Sequence, residues 1–136
     1  MVDVAHKKVT PRTARAQALV RLSAAAAKAL RQATLPKGDA LVAAQIAAIM
    51  AAKRTATLIP LAHQIELSGV DVAFSWQDEA TLRIETSART AARTGVELEA
   101  IIAAALAALT IYDMTKSIDR NTSIADVRLL SKTKGR

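Results

Sequence analysis

Apolar and polar positions change their period several times along this chain, and each change marks an element. Val9 to Leu22 mixes β-branched and basic residues, and its second half, Arg15 to Leu22, predicts a strand. Ser23 then suits the N-cap of a helix over Ala24 to Gln32. Leu35-Pro36-Lys37-Gly38 is a loop punctuated by Pro and Gly. Asp39 caps a second helix, Ala40 to about Leu58, which Pro60 terminates. Val70, Val72, Phe74 and Trp76 alternate with polar or small residues, as do Leu82, Ile84 and Thr86. The polar turn Gln77-Asp78-Glu79 between them predicts an antiparallel hairpin. After Gly95 a long helix, Val96 to about Ile118, is apolar nearly all round, which requires enclosure on most sides. A last strand, about Ile124 to Leu130, leads into a basic tail.

The order β-α-α-β-β-α-β implies a single α+β domain over residues 1–136, with helices packed on one face of an antiparallel sheet. The expected architecture is a ferredoxin-like plait with one extra helix. Composition alters the expected core. Its apolar half is mostly Ala with Leu, Ile and Val, and contains one Phe, one Trp and one Tyr. Ala buries little area, so such a core gains less per residue than one of Leu or Phe. Ala-lined helices admit close neighbours, so self-association is the expectation.

The absence of Cys excludes disulfides, thiolate metal sites and Cys nucleophiles. Met1-Val2-Asp3-Val4 lacks the pattern of a signal peptide. The longest unbroken apolar run, Ala100 to Leu109, is shorter than the roughly 18 residues of a membrane span. A cytoplasmic protein is therefore expected. Nineteen Lys and Arg against twelve Asp and Glu give a net charge of +7, which attracts nucleic acid, acidic lipid or phosphorylated small molecules.

Charged residues gather at the ends of the predicted elements. Lys37 precedes the second helix, Lys53 lies in its last turns, and His63 follows it. Glu97 and Glu99 begin the long helix, Asp113 and Lys116 lie near its end, and Lys132 and Lys134 follow the final strand. Singly, each has an ordinary structural explanation: a solvated loop lysine, a hydrogen-bonded histidine, a helix pair worth ~0.3–0.5 kcal/mol, carboxylates suiting the helix dipole, or a frayed end. Together they point to a site, because Glu97, Asp113 and Lys116 interrupt an otherwise apolar helix, where ionised groups are costly unless paired or facing a cleft. A straight second helix of ~30 Å separates Lys37 from His63, and ~24 Å separates Glu97 from Asp113. If these residues serve one site, two chains must build it.

Seven blocks resemble cyclic pyranopterin monophosphate synthase, the MoaC family. They are Met1-Val2-Asp3-Val4, Leu35-Pro36-Lys37-Gly38-Asp39, Ile49 to Thr55, Leu58 to His63, Arg93 to Ala100, Ala107 to Met114, and Val127-Arg128-Leu129-Leu130. The resemblance implies a ferredoxin-like fold, a hexamer built as a trimer of dimers, and an active site at the dimer interface. It implies a lyase of molybdenum cofactor biosynthesis. The substrate would be 3′,8-cyclo-7,8-dihydroguanosine triphosphate, rearranged to cyclic pyranopterin monophosphate with loss of pyrophosphate. The family's functional positions fall on Asp3, Arg12, Lys37, His63, Glu97, Glu99, Asp113, Lys116 and Lys132. On this reading Lys116 is the central acid–base or electrostatic group and Asp113 orients it. His63, Lys37 and Lys132 bind the triphosphate with Lys53 as a supporting charge, and Glu97 and Glu99 hold the guanine-derived ring or relay protons. Ala62, Gln64 and Thr115 depart from the family's usual Cys, Pro and Cys, and the tail from Lys132 is shorter and poorer in Gly.

No cofactor is required by these residues, although carboxylates beside lysines permit a Mg²⁺ ion with the triphosphate. Two rival readings remain. A nucleic-acid-binding module would use the positive charge, but only three aromatics are available for stacking. A catalytically weakened family member would serve as an assembly partner only.

Overall fold

The computed structural model describes residues 1–135. Strand β1 (Thr10–Arg21) is followed by helices α1 (Ala24–Arg31), α2 (Ala40–Lys53) and α3 (Thr55–Leu58), and then by strands β2 (Gly69–Trp76) and β3 (Thr81–Ala92). Helix α4 (Glu97–Thr115) and strand β4 (Ser123–Lys134) complete the chain. The strands form one antiparallel sheet in the order β2-β3-β1-β4, with helices against one face. This is the expected α+β plait of ferredoxin-like topology, with α1 and α3 added to its two principal helices.

Alternation along the strands determines which side chains meet the helices. Ala14, Ala16, Ala18 and Val20 of β1 face the core with Leu82, Ile84 and Ala88 of β3. Against them α4 sets Ala100, Ala103, Ala104, Ala107, Ala108 and Ile111, and α2 contributes Ala44 and Ala48. Small side chains on both surfaces let helix and sheet backbones approach closely. Thr86 exploits that approach: its buried hydroxyl donates to the Ala100 carbonyl at 2.6 Å. By length and composition α4 could cross a membrane. Here nine of its residues are buried, and it forms the domain's core helix.

Four boundaries differ from those expected. The second helix is not continuous to Leu58, because it ends at Lys53 and Arg54 leaves the helical region with φ −105° and ψ 9°. Thr55, whose buried hydroxyl donates back to the Ala52 carbonyl at 2.9 Å, begins the short helix α3. The long helix stops at Thr115, three residues early. Strand β1 begins at Thr10 rather than Arg15, and β4 continues to Lys134 rather than ending near Leu130. One ladder explains both extensions, since Arg12 pairs with Lys134 and Ala14 with Lys132. Lys132 and Lys134 are therefore strand residues, not a frayed tail.

The opposite sheet face is polar and held by exposed ion pairs: Arg15 with Glu85, Arg83 with Glu85, and Arg89 with Asp71. The helix layer keeps an apolar exterior. Val42, Ile46 and Met50, spaced by four on α2, are 51%, 54% and 46% exposed. On α4, Leu98 and Leu109 are also exposed, so that helix is enclosed on fewer sides than its composition suggests.

Candidate active site

The loop between α1 and α2 carries Lys37 to the C-terminal end of α4. Buried Leu35 anchors this loop, and Gly38 turns it at φ 109°, a conformation open to glycine. Asp39 then accepts from the Leu41 and Val42 amides at 3.1 and 3.2 Å and starts α2. Lys37 Nζ reaches Asp113 Oδ1 at 3.0 Å and Oδ2 at 2.9 Å. Lys116, at the end of α4, reaches Asp113 Oδ1 at 2.9 Å. Hydrogen bonds from Lys116 and then Lys37 hold the Asp113 carboxyl below its ordinary range. One carboxylate thus fixes two ammonium groups, each with further donors free for phosphate oxygens.

A second group of charges lies at the other end of α4. Lys132 Nζ on β4 reaches Glu97 Oε1 at 3.3 Å. Both line a cavity of about 210 Å³ with Arg12, Gly95 and Lys134. Gly95 matters to this pair because the Glu97 carboxylate folds back over it, closer than a Cβ would permit. Arg12 Nη2 donates to the Arg93 carbonyl at 3.3 Å. Arg93 Nε in turn donates to the Lys7 carbonyl at 3.2 Å and secures the N-terminal segment. His63 Nε2 lies 2.6 Å from the Val2 carbonyl, a contact that requires a proton on Nε2. Asp3 accepts from the Ala5 amide at 2.8 Å and lines a cavity with His63 and Arg93.

Glu99 points into the protein and is only 4% exposed. Burial, with the nearby Glu97 charge, raises its carboxyl above the ordinary range. A carboxyl so raised holds its proton to higher pH than an exposed one, the direction that suits a proton relay.

Of the residues singled out from the sequence, Lys37, Asp113 and Lys116 come together. Arg12, Glu97 and Lys132 form a second group, with His63 and Asp3 close to it through Arg93. Within one chain the groups stand at opposite ends of α4, and ~24 Å of helix separates Glu97 from Asp113. Helix α2, at 14 residues, spans ~21 Å rather than ~30 Å, which leaves Lys37 and His63 still at opposite ends. Lys53 is exposed and forms no ion pair among the described residues. One contributor was not singled out for this site: Arg93, which acts through its backbone carbonyl and its guanidinium. Lys134, noted from the sequence only as a charge beyond the final strand, enters the site because β4 is longer than its apolar pattern and pairs it with Arg12.

Fold and charges together define a ferredoxin-like α+β protein with cationic clusters, each containing carboxylates, at both ends of a core helix. The MoaC family model matches residues 1–135. The chain belongs to the MoaC family. It is 50% identical over 137 residues to a protein of Nitratidesulfovibrio vulgaris named cyclic pyranopterin monophosphate synthase, with 100% of this chain and 85% of the relative covered. It is 48% identical to the Mycobacterium tuberculosis H37Rv protein named cyclic pyranopterin monophosphate synthase 2, covering 100% of this chain and 81% of that relative. A Staphylococcus aureus (strain Newman) cyclic pyranopterin monophosphate synthase is 46% identical over 140 residues, with 100% and 85% covered.

Proposed function

We propose that this chain is a lyase of molybdenum cofactor biosynthesis that converts 3′,8-cyclo-7,8-dihydroguanosine 5′-triphosphate to cyclic pyranopterin monophosphate and pyrophosphate. Relatives of that name align with its full length at 43–50% identity. The observation that carries the reading is the Lys37–Asp113–Lys116 cluster, with both lysines within 3.0 Å of one carboxylate.

Closure of the cyclic phosphate forms a bond from a ribose hydroxyl oxygen to phosphorus and breaks the bridging P–O bond. The hydroxyl proton passes to a base, and the electron pair leaves on pyrophosphate. Charge grows on phosphate oxygens during this exchange, and fixed ammonium groups stabilise it more than they stabilise the ground state. Lys116 is the central acid–base or electrostatic group, with Asp113 orienting it and Lys37 beside it. His63, Lys132, Arg12 and Asp3 bind substrate from the second group, with Lys53 a supporting charge. Glu97 and buried Glu99 hold the guanine-derived ring or relay protons during the ring chemistry. No resident cofactor enters this scheme, and Mg²⁺ would arrive as the counter-ion of the triphosphate.

The proposed assembly is a cytoplasmic homo-hexamer, a trimer of dimers. In it the Asp113 end of one chain meets the Lys132 end of its partner. Two features support this arrangement: the separation of the clusters along α4, and the exposed apolar stripe on α2. Incubation of the purified protein with the cyclised guanosine triphosphate tests the activity. Pyrophosphate release with a fluorescent pterin after oxidation is expected. Tight substrate binding without turnover would identify an assembly partner, and salt-dependent binding to random DNA without substrate binding would identify a nucleic-acid module.

A further inference from the structure

The segment before β1 carries Asp3 and is held at two points. Val2 offers its carbonyl to His63 Nε2 at 2.6 Å, and the Lys7 carbonyl accepts from Arg93 Nε at 3.2 Å. Between these anchors the segment closes on itself. The Ala5 amide donates to Asp3 Oδ1 at 2.8 Å, and the Lys7 amide donates to the Val4 carbonyl at 3.0 Å. The β1–β3 ladder explains why Arg93 is an anchor. Ala92, the last residue of β3, pairs with Thr10, the first of β1. Antiparallel register therefore sets the residue after one strand beside the residues before the other. Arg93 also acts through its backbone. Its carbonyl accepts from Arg12 Nη2 at 3.3 Å, the one hydrogen bond of that guanidinium among the described residues, while Arg12 Nε is buried without a partner.

We propose that Arg93 is a positioning residue for substrate recognition. Its side chain clasps the segment that carries Asp3, and its carbonyl aims Arg12, so both groups share one frame at the β3–α4 junction. Arg93 is exposed and forms no ion pair among the described residues, so its guanidinium serves a neutral carbonyl instead of an opposite charge. The role requires an N–H donor at the end of a long side chain, which Lys also supplies and Met does not. That Asp3 and Arg12 meet substrate rests on the lyase reading above; the clasp itself does not.

Two measurements on the full chain test the role. In Arg93→Met, amide hydrogen exchange in the peptide covering residues 1–9 should quicken about five- to tenfold, the scale of one lost hydrogen bond from a charged donor. KM should rise by a similar factor with kcat within about twofold, and the thermal midpoint should hold because the bond is exposed and outside the core. Arg93→Lys should restore both values to within about twofold of wild type. Lys28→Met, which removes an equal charge from the exposed side of α1, should change neither. Adding Asp3→Ala to Arg93→Met should raise KM by less than the product of the two separate effects, since both act through one segment. Unchanged exchange or KM in Arg93→Met, no rescue in Arg93→Lys, the same changes in Lys28→Met, or fully multiplicative KM effects would each overturn the positioning role. Faster exchange in Arg93→Met, restored in Arg93→Lys, with no turnover by the wild type would overturn the lyase reading and retain the clasp. Turnover by the wild type with exchange insensitive to Arg93→Met would do the reverse.

Discussion

Lys37 and Asp113 stand 76 positions apart and meet at 3.0 and 2.9 Å, with Lys37 Nζ donating to both carboxylate oxygens. The contact joins the α1–α2 loop to the end of α4. Both side chains are about half exposed, at 52% and 46%, so the pair contributes little to folding. Its consequence is positional, because it fixes an ammonium group beside Lys116.

Asp113→Asn should therefore preserve the thermal midpoint and lower kcat by about 10²-fold, the range of a misplaced acid–base group. The carboxylate's pKa is lowered in the folded chain. Its ionised form is thus favoured above the ordinary carboxylate range, and the advantage disappears only as pH falls through the lowered value. The acid limb of a kcat profile between pH 5 and 8 should not arise from Asp113. Unchanged kcat in the Asn variant would show that Lys37 and Lys116 need no orienting carboxylate.

A composite site predicts complementation between inactive variants. Lys116→Ala and Lys132→Ala damage opposite ends of α4 and should each abolish turnover. After dissociation and mixing, roughly a quarter of wild-type activity should return, because half the two-fold interfaces pair unlike chains and each of these contains one intact site. Mixtures that stay inactive despite subunit exchange would contradict a shared site.

Glu99→Gln should raise the melting temperature, and the gain should depend on pH. Burial raises the folded-state pKa of Glu99. The cost of its charge is absent below the unfolded value, grows as pH rises, and is complete above the folded value. Calorimetric scans should therefore show wild type and variant converging near pH 4 and separating towards pH 8. A constant difference across that range would mean that the Glu99 charge is not the cause.

Gly95→Ala tests the fit of Glu97. The added Cβ would overlap the Glu97 carboxylate and push it from Lys132. A KM increase of about five- to tenfold is expected, with the fold intact, on the scale of one lost charge-assisted contact. Wild-type KM would show that the carboxylate can vacate the glycine without leaving its partner.

The close packing of α4 on the sheet gives a stability prediction. Ala104 is fully buried in a core shared by α4 and the strands. Ala104→Leu should cost about 1–3 kcal/mol in urea unfolding, since the added volume has no space to enter. A neutral result would reveal an unfilled gap between helix and sheet.

Periodicity was sufficient for the order of the principal elements and for the α+β class. Ser23 and Asp39 marked their helix starts through local hydrogen bonds with nearby amides. Alternation in β2 and β3 likewise identified which side chains face the core. These are short-range relationships, carried by spacings of two to four residues. The ends of β1 and β4 were not legible because neither segment ends where its apolar pattern does. Each continues because the other strand supplies hydrogen bonds, which puts Lys132 and Lys134 opposite Ala14 and Arg12. The break at Arg54 was equally hidden, since Ala51, Ala52 and Thr55 suit a continuous helix until their buried packing is known.

The sequence by itself determined the order of the principal helices, the hairpin, the apolar interior and a set of charged residues matching one family. Only tertiary structure decided which of those charges meet. Lys37 finds Asp113 because α2 packs against α4, and Lys132 finds Glu97 because β4 joins β1. Hydrophobic period acts over a few residues, whereas electrostatic partnership requires two distant backbones to be fixed in space. The core of small alanines provides that fixation by bringing α4 close to the sheet.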